Sequence, residues 1–232
     1  MDASAELPDY RDDPHAYEVE EQSRPDEMAM IDGVAAAATA VLDRLPAEAA
    51  VLDLCCGTGL SLMGVVGHPH ARIALGVDNC RSYLDHARNR YSGRSNVSLL
   101  EGDAIDAVLP ETCFDLVILC SAYHHIEDDR KPSLLQRVYD VLSPNGRVVV
   151  GENLLPPYQP GVPDSYSAAV RLFYEQVLVT ALEHDPHLPA GVHGLIQRVA
   201  QYGYDGDYEY KTSVDIFLRH LPGQSARDRA RS

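Results

Sequence analysis

Five short apolar runs, separated by segments of helical spacing, do most to limit what this chain can fold into. They are AVLDLC (50–55), IALGVD (73–78), VSLLEGD (97–103), FDLVILC (114–120) and GRVVVGE (146–152). Their β-branched and aliphatic residues follow one another with little polar alternation. Strands of that kind are covered on both faces, as in a parallel sheet between helices. Alternating with helices, they predict a doubly wound α/β fold with a mostly parallel sheet.

Around these runs the pattern is uneven. Ile31, Val34, Ala38, Val41, Leu42 and Leu45 fall at helical spacing, which predicts a helix over 30–45 stopped by Pro46. After Glu152, NLLPPYQPGVP places four prolines in eleven residues and reads as a loop. Segments 165–185 and 190–204 then look helical, and 154–206 is expected to form a helical lid on a domain spanning 30–221. DYEYK (207–211) suggests a late strand. Ser213 could cap a short helix through Leu221, or SVDIFLRH could extend the strand. Residues 222–232 read as a loose tail.

At 232 residues and 45% hydrophobic content, the chain suits one α/β domain better than two. No apolar run is long enough for a bilayer, and the opening lacks the basic-then-apolar order of a secretory signal. A soluble cytoplasmic protein with no membrane partner is expected. The five cysteines form no C-x-x-C pair or framework and read as reduced, mostly buried thiols. The histidines His68, His70, His184, His187 and His193 show no ligand spacing, so no metal is expected. Net charge is −16, which disfavours nucleic acid. Residues 1–29 hold ten carboxylates against two arginines, half of that excess, as either a solvated arm or a cap folded over something.

VLDLCCGTGLS (51–61) carries two glycines one residue apart, Gly57 and Gly59, at the first strand-to-helix turn. Ligands of open α/β sheets bind beyond the carboxyl ends of the strands, where a bare backbone makes room. A dinucleotide fingerprint would place a third glycine where Leu62 stands, and no Lys follows as in a P-loop. The turn suits a ligand without pyrophosphate.

In these stretches the chain resembles the class I S-adenosylmethionine-dependent methyltransferases, with their Rossmann-like fold. VLDLCCGTG is similar to that family's first motif, GVDNC to its second, EGDA to its third, FDLVILCSAYHHIED to its fourth and VLSPNGRVVVGE to the helix-turn-strand near its fifth. The likeness covers about residues 30–152 in order. It implies S-adenosylmethionine as cofactor and a role for each landmark. Asp53 would receive the ligand's ammonium, directly or through water. Gly57 and Gly59 would pass under its methionine part, with the following helix N-terminus favouring the carboxylate. Asp78 would take both ribose hydroxyls. Asp103 would accept from the adenine amino group, with Gly102 and Ala104 beside the ring, and Ser121 would lie near the sulfonium. Asp53 or Asp103 could instead cap the following helix.

Methyl transfer needs an aligned nucleophile and little else, so a base is optional. Tyr123, His124 and Tyr158 are the catalytic candidates, although a histidine pair at 124–125 serves equally to hold its loop. Thirteen tyrosines against three phenylalanines and no tryptophan is an unusual balance. Tyr17, Tyr158 and Tyr166 could present π faces to a sulfonium. Tyr17, Ser23, Met28 and Met30 are candidates for a cover over the cofactor.

The resulting expectation is alkylation of N, O or C on a small molecule, in specialised metabolism. SAYH stands where amino-methylating relatives carry Asn-Pro-Pro-Tyr. Two alternatives share the cofactor: cyclisation of S-adenosylmethionine itself to azetidine-2-carboxylate with release of methylthioadenosine, and a non-catalytic binding module. Oligomeric state is left open.

Overall fold

The computed structural model describes residues 13–110, 113–184 and 210–222. Five strands form one sheet: β1 (Ala49–Leu54), β2 (Ala71–Asp78), β3 (Val97–Glu101), β4 (Phe114–Cys120) and β5 (Leu142–Gly151). Their order is β3-β2-β1-β4-β5, every pair parallel. The order of strand addition reverses between β1 and β4, which opens the crevice where ligands of such sheets bind.

Every residue of β1 is buried, and its side chains divide by parity. Ala49 and Val51 join one apolar layer, with Val34, Ala38 and Leu42 of α2 (Pro25–Leu42). Ala50, Leu52 and Leu54 join the other, with Leu134, Leu135 and Val138 of α4 (Lys131–Val141). Two-sided burial is why the strand reads as a continuous apolar run. The remaining helices are α1 (Pro14–Ser23), α3 (Arg81–Arg90), α5 (Pro163–His184) and α6 (Val214–His220).

Four expectations change. The acidic segment contains helix: α1 is capped by the Asp13 carboxylate, which accepts from the His15 and Ala16 N–H groups at 3.0 and 2.9 Å, and α2 begins at Pro25 instead of residue 30. β5 begins at Leu142, four residues before the predicted run. Leu142 pairs with Phe114 and Arg147 with Leu116, so Ser143–Gly146 bulge between them, and Ser143 donates to Asp115 at 2.8 Å. Pro144 sits in that bulge, where a strand tolerates it. No α-helix follows the glycines. Leu60–Leu62 make one 3₁₀ turn, and a Cβ on Gly64 would stand 2.6 Å from the Ala35 methyl, so the loop presses directly on α2. Only Cys56 among the five free thiols is fully buried; Cys113 is exposed and the other three are half-buried.

Segment 214–220 is helical, and Ser213 precedes it with its hydroxyl donating to Asp215 at 2.6 Å rather than capping a backbone N–H. Leu155 and Ser213 form a parallel bridge. The predicted helix 190–204, most of DYEYK and nearly all of the tail lie outside the described residues.

Candidate active site

The turn after β1 is tightly held. Cys55, Gly57 and Gly59 all have positive φ, at 61°, 51° and 84°. A Cβ at Gly59 would come within 2.8 Å of the Tyr91 ring, and the Tyr91 hydroxyl donates to the Gly59 carbonyl at 2.6 Å. Glycine is needed at 59 both for its dihedral and for that ring. On the neighbouring strand Ser121, just past β4, also has a positive φ of 50°, and its N–H donates to Gly151 at 2.9 Å. Non-glycine residues held in this region cost roughly 1–3 kcal/mol each and gather at functional sites. Here two of them end adjacent strands at the reversal point.

Asp53 and Asp78 meet this turn from β1 and β2. Asp78 Oδ2 accepts the Gly57 N–H and its Oδ1 the Cys80 N–H, each at 2.8 Å. Burial raises the pKa of this carboxyl, opposed by those backbone bonds. Asp53 is fully buried; Ser61 donates to its Oδ2, and among the described residues its Oδ1 has no partner. Burial pushes the Asp53 carboxyl up to about 7, with the Asp78 charge adding to the effect and the Ser61 bond opposing it. A buried carboxylate oxygen without a donor is costly. An ammonium or water bonded there would relieve it.

Asp103 is engaged differently. Its Oδ1 accepts from Ile105 N–H at 2.9 Å, and both its oxygens accept from Arg130, at 3.1 and 3.2 Å. It is a half-exposed turn cap and ion-pair partner whose carboxyl Arg130 holds below its ordinary range, against the opposing pull of burial. Gly102 donates to the Asp78 carbonyl at 2.9 Å, and Ala104 is buried in the layer that also holds Leu134.

The SAYHH loop turns its groups inward. His124 Nδ1 lies 2.6 Å from Glu152 Oε1, both side chains nearly fully buried. Glu152 also accepts from the N–H groups of Tyr123 and Asn153, at 2.6 and 2.7 Å. Burial alone would raise the Glu152 carboxyl; His124, the Asn153 N–H and Lys211 together bring it down to about 2. Tyr123 is completely buried, its hydroxyl 2.6 Å from His220 Nδ1 and its ring edge-on to Phe217, both on α6. Tyr158 stacks edge-on against Tyr166 at 5.2 Å, in a small apolar cluster with Leu155, Val170 and Tyr174. The structure therefore brings Asp53, Gly57, Gly59, Asp78 and Ser121 together, and directs Tyr123 and Tyr158 into packing with α6 and α5.

Tyr17 packs α1 against α3. Its ring is 5.1 Å from that of Tyr83 on α3, and α1 is clamped to α3 by the ion pair of Glu18 with Arg90, whose Nε also donates to Thr58 O at 3.2 Å. Burial first, then the charges of Glu21 and Glu27, push the Tyr17 hydroxyl well up. Glu27 itself is 1% exposed. Sequence reasoning missed Glu27, Glu152 and Asn153. Glu152 did carry a usable signal, an acid closing an apolar strand as Asp53 and Asp78 do. Among the described residues no group of three or more His, Cys, Asp or Glu is placed to hold a metal, and no helix is long and apolar enough to cross a membrane.

Residues 51–146 match a family model described as a methyltransferase domain. A demethylmenaquinone methyltransferase of Thermus thermophilus is 34% identical over 130 residues, 55% of this chain and 56% of that protein. A carboxy-S-adenosyl-L-methionine synthase of Klebsiella pneumoniae is 30% identical over 108 residues, 44% of this chain and 42% of that one. The chain spans about half the length of the curated relatives it matches. Among solved structures, the S-adenosylmethionine-bound amino pentose methyltransferase CalS10 of Micromonospora echinaspora aligns with a TM-score of 0.51 and 24% identity, over 61% of this chain and 58% of that one. That likeness concerns the fold alone.

Proposed function

We propose that the protein uses S-adenosylmethionine to alkylate an N, O or C atom of a small molecule, a reading supported by the match of residues 51–146 to a methyltransferase-domain model. The observation that carries this reading is the unpartnered, fully buried Asp53 oxygen beside the glycine turn that Asp78 clasps. The residues present fit the cofactor. Asp53 Oδ1 would accept from its ammonium, and Asp78 has acceptor capacity left for a ribose diol after its two backbone bonds. Asp103 could reach an adenine amino group only while sharing its carboxylate with Arg130. When bound, the cofactor would supply an electrophilic carbon on a sulfonium. The chain's part is to position, to exclude water through α1 and Tyr17, and to receive a proton.

A second reading uses the same cofactor. In it, α1 and Tyr17, which pack against α3, would enclose S-adenosylmethionine as the sole substrate. The Klebsiella relative bears the name of an enzyme that makes a modified S-adenosylmethionine. In this second reading, the cofactor's amine would close a four-membered ring with loss of methylthioadenosine. Incubating the protein with S-adenosylmethionine, alone and with acceptor pools, and identifying the nucleoside product tests both. Adenosylhomocysteine supports methyl transfer, methylthioadenosine supports cyclisation, and neither product, despite tight binding, supports a binding module.

A further inference from the structure

Glu27, on the first turn of α2, is wholly buried, and half of its carboxylate lacks a partner. Oε1 accepts from Asn153 Nδ2 at 2.6 Å and pairs with Arg24 at 2.8 Å, whereas Oε2 is buried with no hydrogen bond. A buried carboxylate oxygen left without a donor is costly.

Its position is set by how α2 crosses the sheet. A Cβ on Gly151, the last residue of β5, would collide with Val34 Cγ2 and stand 3.0 Å from Met30 Cγ, so α2 lies directly on the end of that strand. Glu27 is one turn earlier on the helix and bonds Asn153, two residues past β5. It therefore lies beyond the carboxyl ends of the strands. Its charge acts on the Tyr17 hydroxyl and on the Cys120 thiol that ends β4; burial is the larger influence on each. That thiol also feels Asp53, Glu152 and Glu21. Glu27 and Asp53 thus both lie at the carboxyl-end side of the sheet, and among the described residues each has a buried oxygen without a donor.

An ionised carboxylate only accepts hydrogen bonds. A hydroxyl could satisfy Oε2, but Arg24, the cation paired with Glu27, is shared with Asp26 at 3.1 Å, and a hydroxyl would add no further positive charge. An anionic acceptor would be repelled. An amine answers both demands, because its ammonium form brings N–H donors and positive charge.

We propose that Glu27 seats the nucleophile of this site and that the nucleophile is an aliphatic amine nitrogen of a small acceptor. The inference rests on the alkyl-transfer reading above. The nitrogen passes its proton to Glu27 Oε2, and its freed lone pair forms a bond to carbon as the carbon–sulfur bond breaks. That bonding pair stays on sulfur, which leaves as a neutral thioether. Asn153 and Arg24 keep hold of Oε1 throughout, which fixes where Oε2 points.

Binding tests this without knowledge of the acceptor. Sinefungin carries an amine on the carbon that replaces the sulfur of adenosylhomocysteine, and so offers a nitrogen near the reacting position. By calorimetry the wild-type protein is expected to prefer sinefungin by about tenfold or more. Glu27→Gln should cut that preference to within about threefold while leaving adenosylhomocysteine affinity nearly unchanged, and Glu27→Asp, which retains the charge, should fall between. Thermal unfolding of both variants verifies that they fold. An unchanged preference in folded Glu27→Gln overturns the assignment. A wild-type protein that binds neither nucleoside defeats the cofactor reading, and this inference falls with it. Product analysis with S-adenosylmethionine, alone and with a panel of primary alkylamines and amino acids, then checks the acceptor. Adenosylhomocysteine formed only with additions supports the assignment, and methylthioadenosine formed without additions overturns it. Methylation of oxygen or carbon acceptors that Glu27→Gln leaves undiminished also overturns it.

Discussion

The strand ends at β1–β2 and at β4–β5 are built from the same kinds of residue and are finished in opposite ways. At β4–β5, Glu152 has three donors, His124 and the N–H groups of Tyr123 and Asn153, and Tyr123 has His220. At β1–β2, Asp53 keeps one buried oxygen without any donor and Asp78 holds only backbone. A polar group whose partners are all present supports the chain around it, while a buried one with a partner missing marks where a ligand completes the structure. Titratable side chains on both loops invite a catalytic reading; only their bonding separates the two roles.

The largest expected effect comes from breaking the completed side. His124→Ala removes one half of a buried pair and leaves Glu152 charged and short of a donor, a loss of about 3–5 kcal/mol in urea unfolding. The same pair makes stability depend on pH. Because the folded Glu152 carboxyl sits at about 2 against an ordinary 4.5, its contribution is present above about 4.5 and is lost as pH falls toward 2. Glu152→Gln should flatten that acid limb. A His124→Ala protein as stable as wild type, but inactive, would reverse the comparison and make the histidine catalytic.

Next in size is Asp78→Ala, on the open side. Loss of the diol acceptor and of the clasp on Gly57 should weaken S-adenosylmethionine binding by about 100-fold, near 2.7 kcal/mol, read by calorimetry. Unaltered binding would mean that the crevice is not where the cofactor lies.

How far the sequence reveals this division depends on the distance between partners. β1 through β4 are legible within two residues at their ends because two-sided burial writes itself into consecutive side chains. Asp53 and Asp78 are legible because an acid closing an apolar run is a local signal. The start of β5 is not, since it depends on a bulge paired to Phe114 and Asp115. α1 and the start of α2 hide behind their acids: Glu18 and Glu27 read as solvent-facing until Arg90 and Asn153, 72 and 126 residues away, are brought to them. Tyr123 looked catalytic from its place in the loop, and the residue that accounts for its hydroxyl is 97 positions later.

A pH series sharpens the open side more gently. With its folded carboxyl raised to about 7, Asp53 holds a proton in the empty protein that the unfolded chain releases near 3.8. Its contribution to stability is therefore complete below about 3.8 and declines as pH rises through 7. Two consequences follow at pH 8. Asp53→Asn should raise the Tm of the empty protein by several degrees, and the same change should weaken cofactor binding by about tenfold, since the amide cannot serve an ammonium as a carboxylate does. In the wild type, affinity should climb as pH rises from 5 to 8, because binding an ammonium requires the ionised form. A flat profile, measured by calorimetry at constant ionic strength, would mean that the orphaned oxygen meets a water or another neutral donor.

Tyr123→Phe is the smallest and most discriminating change. Only the bond to His220 is lost, and the ring stays edge-on to Phe217 with the Lys131 ammonium 5.3 Å from its centroid. Stability should fall by about 1 kcal/mol, with turnover and cofactor affinity within about twofold of wild type. General acid–base groups contribute about 10²–10⁴-fold, so the two roles predict well-separated outcomes. A loss of turnover in that range with unchanged stability would require the hydroxyl to leave His220 and swing toward Ser121. That motion would have to break the packing of Tyr123 between α4 and α6, so the variant's stability and its rate together report which side of the β4 loop the hydroxyl serves.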